Sequence, residues 1–278
     1  MGLIDFILNL AGLLLWLNWR AAKVDPLGKR TPATLIGTLR RAEPRTLGRW
    51  RLPTVLGALL VLRAVFYWQI GSAFKPVWAG RLDLGVIELS FRSDFFARML
   101  LFSLCSFALI LAVFYLWLLL LSILTGPEPF HALVRTQLGL VDRWPRPVKW
   151  ILPLVVTATV WWLASWPLAG VQVIPPPGSP IRQFAGALLI GLSSYLAWKF
   201  LIGALLALHL LNSYIYFGKH PFWNYVNATA QTLLRPLGKI PLRVGRVDFA
   251  PVVGIALVFL IAEMMGYLLI WLYERLPL

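Results

Sequence analysis

The sequence predicts an all-α membrane protein, with six transmembrane helices built as three antiparallel hairpin repeats and amphipathic cytoplasmic interface helices between the spans. Three observations predict it. Hydrophobic residues are 59% of the 278 and charged residues 13%, about half the charged share of a soluble domain. Six apolar stretches, residues 3–19, 52–70, 95–124, 151–169, 184–216 and 251–272, are each long enough to cross a bilayer. No segment between or beyond them exceeds 34 residues, too short for a soluble domain with its own core. A soluble globular enzyme is thereby excluded.

The basic residues set the expected orientation. A net charge of +15 on a soluble chain would suggest nucleic acid as partner, but here the distribution decides, and no direct nucleic-acid binding is expected. Loop 20–51 carries nine basic residues: Arg20, Lys23, Lys29, Arg30, Arg40, Arg41, Arg45, Arg49 and Arg51. Loop 125–150 carries four and loop 217–250 carries five, whereas the opposite side holds only Lys75, Arg81, Arg92, Arg182 and Arg275. Positive residues resist translocation, so the three basic loops are expected in the cytoplasm and both termini outside. Residues 1–6 lack Lys and Arg and contain Asp5, an order that suits an N-out anchor better than a cleaved signal. Trp16, Trp19, Trp50, Trp68, Trp150, Trp166 and Trp271 lie near span ends, where an indole sits at the headgroup level. Cys105 is the one cysteine and forms no internal disulfide.

Each even-numbered span opens on the pattern x-Pro-x-Val-x-x-Ala, around Pro53, Pro153 and Pro251, 100 and 98 residues apart. Proline in a first helical turn loses no hydrogen bond, so each is expected to begin a span. The pattern divides the chain into hairpins at 1–75, 76–170 and 171–278, each a span, a basic loop and a span. Inside the loops, Phe130, Leu133, Val134, Gln137, Leu138 and Val141, and again Phe222, Val226, Ala230, Leu233 and Leu237, fall at helical spacing. Leu35, Ile36 and Leu39 form a weaker set in the first loop. These predict short helices lying flat, basic residues toward anionic headgroups.

The third hairpin carries the most specific motifs: His220-Pro221-Phe222, Tyr225 to Ala230, Leu233-Leu234-Arg235-Pro236-Leu237, Pro241, and Val247-Asp248-Phe249-Ala250-Pro251-Val252-Val253. Together they resemble the YggT (YlmG) family of bacterial and plastid integral membrane proteins, over residues 200–262. The resemblance implies a Pro-led surface helix ending in an Arg-Pro turn, then an Asp-Phe-Ala-Pro opening of the next span. It further implies a non-enzymatic assembly or organising factor, since family members are linked to division, assembly of membrane complexes and osmotic tolerance. On that reading Phe222, Tyr225, Arg235, Pro236, Lys239 and Arg243 form a platform for a cytosolic or membrane-protein partner, and a homo-oligomer is a further possibility.

Other chemistry is sparse. His131, His209 and His220 fit no metal-ligand spacing, no nucleophile elbow or phosphate loop occurs, and neither metal nor cofactor is expected. His209, inside the fifth span, is expected to bond a carbonyl or Asn212. Three charges fall deep in spans, Arg63, Lys199 and Glu263, where each costs about 2.5 to 3.5 kcal/mol on insertion scales. Glu263 is expected to pair with Arg63 or Lys199, either as an ion pair joining hairpins or as part of an ion or proton path, the property of a small channel or transporter. Asp5 and Arg98 lie close enough to span ends to snorkel.

Overall fold

The structure, a computed structural model, describes residues 2–24, 51–74, 77–124, 130–176, 178–215, 220–239, 243–244 and 247–275. Helices α1 (Leu3–Val24) and α2 (Arg51–Gly71) are followed by strands β1 (Ala79–Asp83) and β2 (Glu88–Arg92). Then come α3 (Phe96–Ile123), α4 (Phe130–Leu138), α5 (Arg146–Gly170), α6 (Pro180–Ser193), α7 (Trp198–Tyr214) and α8 (Pro221–Leu234). The short strands β3 (Arg243–Val244) and β4 (Val247–Asp248) precede α9 (Ala250–Glu274). Among the described residues, six segments are long and apolar enough to cross a membrane: Leu3–Arg20, Arg51–Gly71, Phe96–Ile123, Arg146–Gly170, Pro180–Tyr214 and Ala250–Glu274. They coincide with the six apolar stretches of the sequence. The chain is a multi-pass helical membrane protein. The weak helical pattern at Leu35, Ile36 and Leu39 lies outside the described residues.

The residues group into two compact units, Met1–Leu82 with Leu89–Ala112, and Asp83–Glu88 with Val113–Leu278. The division falls within α3.

In the first unit α1 packs along α2, and β1 and β2 pair as a two-stranded ladder. Alternation of the strands turns Gly80, Leu82, Leu89 and Phe91 inward. They meet an aromatic cluster in which the Phe102 ring lies 5.6 Å from Phe91, 5.9 Å from Tyr67 and 6.1 Å from Trp78. A Cβ on Gly80 would stand 2.7 Å from the Phe102 ring, and one on Gly12 would stand 2.9 Å from Phe107. Glycine at both positions lets backbone and ring approach.

In the second unit α5 packs chiefly on α6, and α7 on α9 and α8. The long fifth apolar stretch is not one uniform α-helix: Ser194–Ala197 tightens into a 3-10 turn between α6 and α7. The turn is tied to α3 by two reciprocal indole bonds, Trp117 Nε1 donating to the Ala197 carbonyl and Trp198 Nε1 to the Leu116 carbonyl, both at 3.0 Å. Indole N–H groups find acceptors when buried.

The three signature prolines do not occupy equivalent places. Pro251 is the second residue of α9 and Pro53 the third of α2, as expected, but Pro153 stands inside α5. That helix starts seven residues earlier, at Arg146, where Pro147 already supplies the first-turn proline. The backbone of Asp248 pairs antiparallel with that of Arg243.

Candidate functional site

The polar groups fall into separate clusters, each explained by helical spacing. In the first unit, Asp5 and Asn9 are four residues apart on α1, Arg63 and Tyr67 four apart on α2, and Ser103 and Ser106 three apart on α3. Each pair therefore shares a helix face, and the three faces meet. Arg63 Nη2 donates to Asp5 Oδ1 at 2.6 Å and to Ser106 Oγ at 3.0 Å, while Nη1 donates to Asn9 Oδ1 at 2.9 Å. Tyr67 adds its hydroxyl to Asp5 Oδ1 at 2.7 Å, and Asn9 Nδ2 donates to Ser106 Oγ at 2.9 Å. Ser103 donates to the Leu60 carbonyl at 2.8 Å. The guanidinium carbon lies 5.2 Å from the Phe102 ring centroid and 5.7 Å from that of Tyr67, a cation–π setting. The Asp5 and Arg63 side chains are 9% and 1% exposed.

One expectation is corrected here. Asp5 does not snorkel: it is enclosed, because α2 presents an arginine and a phenol at its level. Arg63 takes Asp5 as its ion-pair partner. Arg98 Nη1 lies 2.8 Å from both carboxylate oxygens of Asp94.

Of the mid-span charges, Lys199 and Glu263 come together in the second unit, Nζ to Oε1 3.2 Å, with side chains 18% and 60% exposed. A further cluster closes the α3–α5 connection. Lys149 Nζ donates to Ser122 Oγ at 2.6 Å and to the Asp142 carbonyl at 2.7 Å, and faces Asp142 Oδ1 at 3.5 Å. Ser122 donates to Asp142 Oδ1 at 2.6 Å, and Arg135 Nε reaches Oδ2 at 3.3 Å. A Ser–Lys contact can be a nucleophile with its base. Here Lys149 Nζ stands among three acceptors, the third of them the Asp142 carboxylate, and the amine ties α5 to α3 and to the connection between them. The cluster is a clasp.

α8 begins with Pro221 in its first turn and is capped by His220, whose Nδ1 accepts from the Phe222 N–H at 3.3 Å. Tyr225, Val226, Thr229 and Ala230 are buried, while Asn224, Gln231 and Thr232 face outward. Tyr225 is thus corrected from a surface contact to a core residue: with Val226 and Thr229 it lies on the inner side of the helix. Burial pushes its phenol above the ordinary value, and a hydrogen bond with Thr229 opposes that shift. His209 Nδ1 lies 2.9 Å from Asn227 Oδ1, so its partner is on α8 and not Asn212. Phe222 is half-buried, and Arg235 and Pro236 are exposed in the 3-10 turn that follows α8. The side chains of Lys239, Arg243 and Asp248 lie outside the described residues. Among the described residues no group of three His, Cys, Asp or Glu could hold a metal ion.

Fold and clusters together define a multi-pass helical protein whose internal charges are tied to one another across helices. No family model matches the chain, and neither a curated protein nor a solved structure matches it.

Proposed function

We propose that the protein is a non-enzymatic, YggT-type protein of the bacterial inner membrane that acts as an assembly or organising factor, binding a partner on its cytoplasmic side. The observation that carries the reading is the two-faced α8. Its inner face is fixed in the second unit by Tyr225, Val226, Thr229 and Ala230, and the Arg235-Pro236 turn is left exposed beside it. α4 packs against α8, and Arg135, Arg143 and Arg146 around α4 are exposed as well. A basic surface held on a rigid helical base suits an acidic partner or anionic headgroups. With Tyr225 buried, the platform narrows to Phe222, Arg235 and Pro236, joined by Lys239 and Arg243 on the resemblance alone.

The experiment is charge reversal. Replacing Arg235, Lys239 and Arg243 by Glu is expected to abolish recovery of partners from native membranes while insertion and thermal stability stay unchanged. Retention of every partner and of full complementation overturns the reading. Cysteine labelling is expected to place residues 20–51, 125–150 and 217–250 in the cytoplasm, and labelling of the C-terminal tail from the cytoplasm alone contradicts the orientation. The rival class, a small channel or transporter using Arg63, Lys199 and Glu263, draws support from the half-exposed Glu263; conductance lost on Glu263→Gln in reconstituted vesicles favours it.

A further inference from the structure

α9 carries groups that its own unit leaves unused. Glu263 stands thirteen residues beyond Ala250 in a 25-residue helix, about 20 Å along it and near the middle of a bilayer. Its side chain is 60% exposed. Beside it runs a ridge of outward-facing residues, Leu260, Met264, Tyr267 and Trp271, spaced four, three and four apart. That is the spacing by which one helix packs along another. Lys199 reaches only Oε1 of the carboxylate. Among the described residues Oε2 accepts no hydrogen bond, and the hydroxyl of Tyr267, a residue 71% exposed, donates none. Hydrocarbon would satisfy neither group.

Acceptor and donor lie one helical turn apart on one outward surface. When two parallel copies of that surface meet about a two-fold axis along the membrane normal, each hydroxyl comes within reach of the other copy's carboxylate, the reciprocal pattern of an isologous contact. We propose that α9 is a self-association face: two copies of the chain pack ridge to ridge, and Tyr267 of each donates to Glu263 of the other. A second copy is the occupant because the surface supplies both halves of the bond, whereas a foreign helix would have to bring its own donor.

The test uses the full chain with Cys105→Ser in native membranes. Oxidation of Leu260→Cys or Met264→Cys is expected to give a product of twice the 31.4 kDa chain mass. Val156→Cys and Val160→Cys, on the exposed side of α5, are expected to give none. In vesicles, dilution-driven loss of energy transfer between labelled copies is expected to shift about three- to tenfold toward monomer for Tyr267→Phe, the range of interhelical hydrogen bonds in membranes. Glu263→Gln is expected to shift it in the same direction. Should Glu263→Gln fail to fold, Tyr267→Phe and the cross-links carry the test. A monomer at all dilutions, a product of any other mass, equal cross-linking from α5, or no shift for Tyr267→Phe overturns the proposal.

Discussion

Two ion pairs among the described residues, Asp5–Arg63 and Lys199–Glu263, differ in what surrounds them. Asp5–Arg63 is sealed: the cation meets an amide oxygen, a serine and two aromatic rings as well as its carboxylate, and the carboxylate also takes a phenol. Lys199–Glu263 is a single contact with the acid side open. The contrast teaches that depth in a span does not decide what a charge does. Enclosed among donors, acceptors and aromatic rings it fixes how three helices pack, and on an outer face it becomes a handle for another molecule.

The contrast breaks most readily at Arg63. Arg63→Met strands a buried carboxylate, and the expected loss of stability is about 3 to 5 kcal/mol, read from unfolding in mixed micelles. Asp5→Asn together with Arg63→Met is expected to recover part of it, because the unpaired charge is gone. Additive behaviour of the two changes would dissolve the network into independent contacts.

The clasp at Lys149 tests whether enclosure, and not the spanning position, sets the magnitude. Ser122→Ala removes one acceptor of the buried ammonium and one donor to Asp142, and about 1 to 3 kcal/mol is expected, as for a buried group left short of a partner. A change within error places the clasp with the exposed pairs.

The smallest effect is expected at the open pair. Lys199→Met with Glu263→Gln should show a coupling near 0.6 kcal/mol, the mean for interhelical hydrogen bonds in a membrane. A coupling as large as that of Asp5 with Arg63 would erase the distinction.

Much of this was legible in the sequence. All six spans were, because runs of apolar residues have no other stable home, and the partnership of Lys199 with Glu263 was one of two choices left by depth. Asp5 was not, because its place near a span end suggests snorkelling and nothing local shows that α2 offers Arg63 and Tyr67 opposite it. A signal was present nonetheless: polar residues at matching intervals in otherwise apolar spans, Asp5 with Asn9, Arg63 with Tyr67 and Ser103 with Ser106, mark faces that must meet something polar. Tyr225 was assigned to the platform on the resemblance, although helical spacing sets it on the side of Val226 and Thr229. Pro153 misled in another way, since a motif shared with Pro53 and Pro251 does not require the same register when Pro147 lies upstream.

The most direct measurement compares Arg63→Met and Glu263→Gln side by side, recording thermal stability and dimer fraction for each in the same vesicles. Arg63→Met is expected to lower the melting temperature and leave the folded fraction as dimeric as the parent. Glu263→Gln is expected to leave the melting temperature of the monomer near the parent's and to shift the population toward monomer. A Glu263→Gln monomer that melts as early as Arg63→Met, or a folded Arg63→Met protein that no longer dimerises, would contradict the separation of an enclosed pair that holds the fold from an open one that holds a second copy.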